Sequence, residues 1–295
     1  MRETRLRKGY TQEEVSYGIC TPASLSRIEN GAQKPGRLIL EKLFERLGTE
    51  NNLFNSFVSK EEMELYSEIQ TLIRDITDED VVKIEKQIDV VEKLAVNTTE
   101  LEHQCLYFAK GELARQKEKD DKKAMEMYMK AIHITLPDFD GKNPLRNNLL
   151  TFDEIMIINA IAILHAKADD MMTAVQLGMW LKKYMEEKIV DGTMKIAKYP
   201  MILYNLSNWL GRENCHKEAL KMADLGIRFC IRYGNLAFFP ILVFNKGGAL
   251  AELGKIDQAK KYLHQSVTIF EAMDRPDLIQ VATDWCKLHY RIDIQ

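Results

Sequence analysis

The stretch from Thr11 to Gly31 constrains this chain more than any other, because it has to hold two short helices and a tight turn. Thr11 is a good N-cap, Glu13 and Glu14 stand in a first turn where the helix dipole favours acids, and Val15 faces inward. Gly18-Ile19-Cys20 breaks that helix. Thr21 then caps a second one, and Pro22 takes its first position, where the missing N–H costs nothing. Leu25 and Ile28, three apart, face a core and leave Pro22, Ala23, Ser24, Ser26 and Arg27 outward or on the flank, until Asn30-Gly31 supplies a left-handed stop. The exposed N-terminal half of the second helix can meet base edges in a DNA groove.

These residues resemble the helix-turn-helix domain shared by phage repressors and the xenobiotic-response-element (XRE) class of bacterial regulators. The resemblance runs from Met1 to Gly48 through Arg5, Gly9-Tyr10-Thr11-Gln12, Ser26-Arg27-Ile28-Glu29-Asn30-Gly31, Pro35 and Leu47-Gly48. It implies a phosphate contact for Gln12 and base or phosphate contacts for Ala23, Ser24, Ser26 and Arg27, and Pro22, Asn30 and Arg37 are further candidates for DNA contact. It also implies that Arg5 and Glu29 form an internal ion pair tying the first helix to the recognition helix. In that family the first helix begins about a turn before the position of Met1, so either a late start of the chain or a shortened first helix is expected.

Charge is distributed in keeping with this. Residues 1–48 carry nine Lys and Arg against six Glu, a net +3, while the remaining 32 basic and 38 acidic residues give −6. Only the N-terminal part is electrostatically suited to DNA, and a charge of +3 is a modest attractor, so two such domains are expected to act together in a homodimer on double-stranded operator DNA. The chain of 295 residues has no apolar run of the roughly 20 residues that span a bilayer and no apolar signal core, which points to a cytoplasmic protein without a membrane partner. Five scattered cysteines without a CxxC suggest neither disulfides nor a metal site, and no cofactor is expected.

After the motif, Arg37 to Leu47 reads as a helix with Leu40, Leu43, Phe44 and Leu47 on one face. Residues 1–48 thus form the DNA-binding domain, 49–62 a linker or connecting helix that carries Leu53, Phe54, Phe57 and Val58, and 63–295 a repeat domain for ligand binding and dimerisation. In that last part a small residue recurs at Ala124, Ala174, Ala219 and Ala259, with apolar or small residues four and seven positions on. The intervals exceed the tetratricopeptide period of about 34 residues, so these are degenerate repeats, with a weaker copy at Leu65 to Leu94 and a capping helix from about Pro276. The fold expected is all-α: a helix-turn-helix domain followed by a tetratricopeptide-like right-handed α-solenoid with a concave ligand-binding face.

Asparagine recurs at Asn159, Asn205 and Asn245, 14 or 15 residues before successive repeat alanines. A row of side-chain amides, each both donor and acceptor, can pair with the backbone of an extended peptide. Tyr204, Trp209, Phe238, Phe239 and Phe244 can supply side-chain pockets or simply core, and Lys246 or Arg232 can meet a carboxylate or face solvent. The combined architecture resembles the peptide-responsive quorum-sensing regulators of Gram-positive bacteria, the group of the Bacillus pleiotropic virulence regulator. That resemblance implies a transcription factor whose operator binding is modulated by a short signalling peptide. An enzyme is disfavoured, since no phosphate loop, HExxH or nucleophile elbow is present and the six His are dispersed. The alternative is a protein-interaction scaffold, or an orphan or antitoxin-like autoregulatory repressor.

Overall fold

The computed structural model describes residues 1–49, 59–77, 80–95, 100–145, 149–188 and 192–290. The expectation for Leu53, Phe54, Phe57 and Val58 falls outside the described residues. Among the described residues there is no β-strand, and the chain packs as two compact units, Met1–Leu164 with Lys188–Asp191, and His165–Glu187 with Gly192–Gln295.

The first unit begins with four short helices, α1 (Arg2–Arg7), α2 (Gln12–Ser16), α3 (Pro22–Glu29) and α4 (Arg37–Arg46). Thr11 and Glu14 cap α2 reciprocally: Glu14 N–H donates to Thr11 Oγ1 at 3.1 Å and Thr11 N–H donates to Glu14 Oε2 at 2.7 Å, satisfying two backbone donors that the helix start would leave bare. Thr21 caps α3 by accepting from Ser24 N–H, Pro22 opens it, and Gly31 at φ +71° leaves it. Val15, Ile19, Leu25, Leu38, Leu43 and Leu47 form the small core. Leu101 and Leu149, from further along the first unit, join that cluster.

Helices α5 (Lys60–Thr77), α6 (Val81–Leu94), α7 (Glu100–Leu113), α8 (Asp121–Thr135) and most of α9 (Phe152–Lys167) complete the unit. α7 runs into one π-helical turn, Ala114–Glu118, closed by Lys119 at φ 57°. There Glu112 is buried but accepts from Arg115, Gln116 and Tyr128, so the local irregularity brings its acceptors to donors rather than leaving a bare charge. Gly18 sits at the turn between α2 and α3 with φ +67°, and a Cβ placed on it would come 2.0 Å from the Thr135 carbonyl oxygen at the end of α8. Both the backbone conformation and the close approach require glycine there.

The second unit holds α10 (Met171–Glu187), α11 (Gly192–Arg212), α12 (His216–Tyr233), α13 (Phe239–Glu252), α14 (Ile256–Ala272) and α15 (Pro276–Tyr290). Short polar turns join successive helices, with Asn214 and Gly254 in the left-handed region. The repeat alanines are the seams: Ala124, Ala174, Ala219 and Ala259 are essentially without solvent exposure. At Gly226 a Cβ would lie 2.8 Å from Leu242, and at Gly247 2.7 Å from Leu263, so these helix pairs meet at distances that leave no room for a methyl group. The structure is therefore the helix-turn-helix plus tetratricopeptide-like helical repeats that the sequence pattern implied.

Candidate nucleic-acid interface and ligand groove

Along α3 and at its C-cap, Pro22, Ala23, Arg27 and the capping Asn30 are exposed and Ser24 and Ser26 half-buried, while Leu25 is fully buried beneath them. The outward set is the one that helical spacing assigns to that face. Arg27 is held over the helix by donating to Gln33 Oε1 at 3.1 Å and to Ser24 Oγ at 3.3 Å, both bonds exchangeable for a base edge or phosphate. Arg2 donates to Asn30 Oδ1, and a polar recess of about 360 Å³ opens between Arg2, Arg5, Gln12, Ser26, Glu29 and Asn30.

Behind this face the Arg5 guanidinium grips Glu29 with two bonds of 2.7 and 2.9 Å and donates a third to the Tyr10 carbonyl. Glu29 is nearly solvent-free, and its carboxyl is held below the ordinary value by the Arg5 bonds and by Gln12 against the opposing effect of burial. Gln12 Nε2 donates to Glu29 Oε2 at 2.7 Å, so the side chain expected to touch DNA braces the Arg5–Glu29 pair in the free protein. Arg37 opens α4 with its guanidinium over the Tyr66 ring, 5.4 Å from the centroid, and its backbone N–H donates to Glu62.

Within the second unit a groove of about 530 Å³ opens between α11, α13 and α15. Ile241, Phe244, Leu278 and Trp285 give it apolar walls, and Phe244 meets Trp285 edge-on with centroids 5.5 Å apart. Of the residues the sequence nominated, Asn245, Tyr204 and Phe244 line it. Asn245 Nδ2 donates to Ser207 Oγ at 2.6 Å, which anchors the amide in the wall with its oxygen as a potential acceptor. Phe238 stands at the start of α13 with its ring 6.2 Å from that of Tyr204.

Other nominated residues lie elsewhere. Asn205 is buried on α11, about 100° round the helix from Tyr204 and off the lining face. Asn159 is buried on α9 in the first unit. Lys246 pairs with Asp224 at 2.7 Å and covers the Tyr262 ring. Trp209 is buried against Gly178, and Arg232 lies over Tyr233. The structure adds lining residues that sequence reasoning passed over: exposed Asn208, one turn beyond Tyr204, and a polar end formed by Arg212, His216 and Glu252. Asn208 was findable, since it follows Tyr204 by four residues and so shares its face.

Among the described residues no cluster of His, Cys, Asp and Glu suits a metal ion, and no helix is long and apolar enough to cross a membrane. A helix-turn-helix family model matches residues 1–50. An uncharacterised HTH-type transcriptional regulator of Bacillus subtilis, YqaF, is 37% identical over 62 residues, which are 21% of this chain and 82% of that protein. The chain belongs to the helix-turn-helix transcriptional regulators and is a DNA-binding regulator rather than an enzyme. Its fold is shared with PlcR of Bacillus thuringiensis. In complex with the peptide PapR7 and DNA, that protein matches with a TM-score of 0.62 and 18% identity over 95% of this chain and 96% of that one. The apo form of PlcR matches with a TM-score of 0.57 and 16% identity over 93% and 98%.

Proposed function

We propose that this regulator acts as a cytoplasmic homodimer whose groove in the second unit takes a short signalling peptide, and that the bound peptide changes operator affinity. The observation that carries this reading is the groove: a volume of about 530 Å³, aromatic and aliphatic walls, and amides at Asn245 and Asn208. Sites for small ligands run to a few hundred cubic ångströms with few, well-placed polar groups. Apolar walls can take peptide side chains, and amides that both donate and accept can pair with peptide backbone. A solved protein of the same fold was crystallised with a peptide and DNA, which supports the same pairing of ligands here.

On the DNA side, Pro22, Ala23, Ser24, Ser26, Arg27 and Asn30 of α3 and its C-cap are the proposed groove-facing set. Gln12 is assigned to phosphate through its position at the start of α2, and Arg37 to the flank. Two such modules in a symmetric dimer reach half-sites about 34 Å apart. Peptide shifts operator affinity only to the extent that it prefers one dimer state over the other.

The test is a titration of the full chain against duplex DNA from its own promoter region, with and without peptides encoded in small neighbouring open reading frames. A peptide-dependent change in affinity, lost in Asn245→Ala with basal DNA binding intact, is expected. Promoter binding that ignores every such peptide would remove the peptide half of the proposal and leave the regulator.

A further inference from the structure

Where the helix-turn-helix module meets α9, the contact is made through charges. Arg46, on α4, is almost fully buried and donates to Glu154 Oε1 at 2.8 Å, and Glu154 is itself solvent-free at the start of α9. The other Arg46 Nη donates to the Tyr17 carbonyl and approaches that of Val15 at 3.5 Å, where α2 ends and the turn toward the recognition helix begins. One turn earlier, Lys42 pairs with Asp153 at 2.9 Å and Glu45 at 3.1 Å, and Glu45 accepts from the Phe152 N–H at 2.9 Å. Tyr17 completes the set by donating to Asp138 at 2.5 Å. An unbroken hydrogen-bonded path thus runs from α9 through Glu154 and Arg46 to the backbone that carries α3.

A contact made this way is specific in register but only weakly favourable. Each buried ion gives up its hydration, which offsets most of the Coulomb gain, and both partners regain that hydration on separating. Docking also leaves Arg46 Nε and Ser16 Oγ buried with no hydrogen-bond partner among the described residues. The apolar side chains contributed to the small core from outside the module are Leu101, Leu149 and the half-buried Ile134, while the module keeps a core of its own in Val15, Leu25, Leu43 and Leu47.

We propose that Arg46–Glu154 and Lys42–Asp153 are a releasable ionic latch: docked, they fix the recognition helix in register with α9; released, the module stays folded and is freed from α9, while the Arg37 N–H on Glu62 and Tyr66 Oη on Glu41 still tie it to α5. Arg46 and Glu154 are therefore positioning residues for DNA recognition, although neither lies on the DNA-facing side of α3. The latch stands apart from the peptide reading, because nothing in it depends on what occupies the groove.

Hydrogen exchange at single amides of the full chain tests it. The Phe152 amide is bonded across the latch to Glu45, the Leu25 amide lies inside α3 on Thr21 O, and the Ala259 amide lies in α14 on Lys255 O. Arg46→Met strands the Glu154 carboxylate, so Phe152 exchange is expected to accelerate at least about tenfold while Leu25 and Ala259 keep their rates. Adding Glu154→Gln to Arg46→Met removes the stranded charge yet leaves an oxygen to accept the buried Thr151 N–H, and is expected to restore slow exchange at Phe152. Lys42→Met gives an independent reading of the same latch should Arg46→Met fail to fold. If all three amides accelerate together in both single variants, the contact is part of one cooperative fold and the latch is refuted. Unchanged Phe152 exchange refutes it equally.

Discussion

Gly18→Ala against Gly9→Ala separates two costs that coincide at Gly18. Both glycines have positive φ, +67° and +73°, so alanine at either place carries the left-handed penalty of about 1–2 kcal/mol. Nothing lies within 4 Å of a Cβ on Gly9, whereas on Gly18 it would meet Thr135 O at 2.0 Å and Thr135 C at 2.6 Å. That carbonyl belongs to the last residue of α8 and cannot swing aside as a side chain would. Overpacking of this kind costs about 1–3 kcal/mol, with a ceiling set by docking itself, since an undocked module escapes Thr135 altogether. Native-state exchange reads both quantities. Each substitution is expected to lower the opening free energy at Leu25 by about 1–2 kcal/mol, and Gly18→Ala alone to lower that at Phe152 by a further 1–3 kcal/mol or so. Equal effects of the two at Phe152 would refute the reasoning, because they would mean that Thr135 does not constrain the turn.

Arg27→Ala is expected to weaken operator binding by about 1–3 kcal/mol and to relax preference at one base position, read by competition between operator and randomised duplexes; equal loss on both would reassign Arg27 to phosphate. Burial pushes the Glu45 carboxyl up to about 7 from its ordinary 4.5, with Asp153 and Glu41 adding to the rise and Lys42 opposing it. A carboxyl raised in the folded state contributes its full stabilisation below the unfolded value and loses it as pH climbs through the folded one. The protection factor at Phe152 should therefore fall between about pH 4.5 and 7, and Glu45→Gln should flatten that slope; a slope surviving the substitution would place the titration elsewhere.

The N-terminal motif was legible because its determinants are local. A cap, a proline at the first helical position and a glycine stop act within a few residues, and Thr11, Thr21, Pro22 and Gly31 all do what their positions imply. The Arg5–Glu29 pair was legible through the resemblance alone, since 24 residues separate its members. The repeat seams were legible because small residues at helical spacing have one main use, close packing. What escaped was anything that depends on how distant segments turn toward each other. Counting charge treats Lys42 and Arg46 as attractors for DNA, yet both are buried on Asp153 and Glu154, more than a hundred positions along the chain. The asparagine register likewise fixes position along a helix but not rotation about it, which is why Asn245 faces the groove and Asn205 does not.

On α11 and α13 of the second unit, seam and lining occupy different sides of the helix. On α13, Gly247 abuts Leu263 while Phe244, Asn245 and Gly248 face the groove; on α11, Leu206 abuts Gly178 while Tyr204 and Asn208 face it. On these two helices the glycine-packed seams are thus not the residues that line the groove. Substitution of the lining on these helices can therefore proceed one side chain at a time without touching the methyl-excluding contacts. Under the proposed function, substitution of Phe244, Asn208 or Trp285 is accordingly expected to alter peptide selectivity, whereas any enlargement at Gly226 or Gly247 would disturb the frame first.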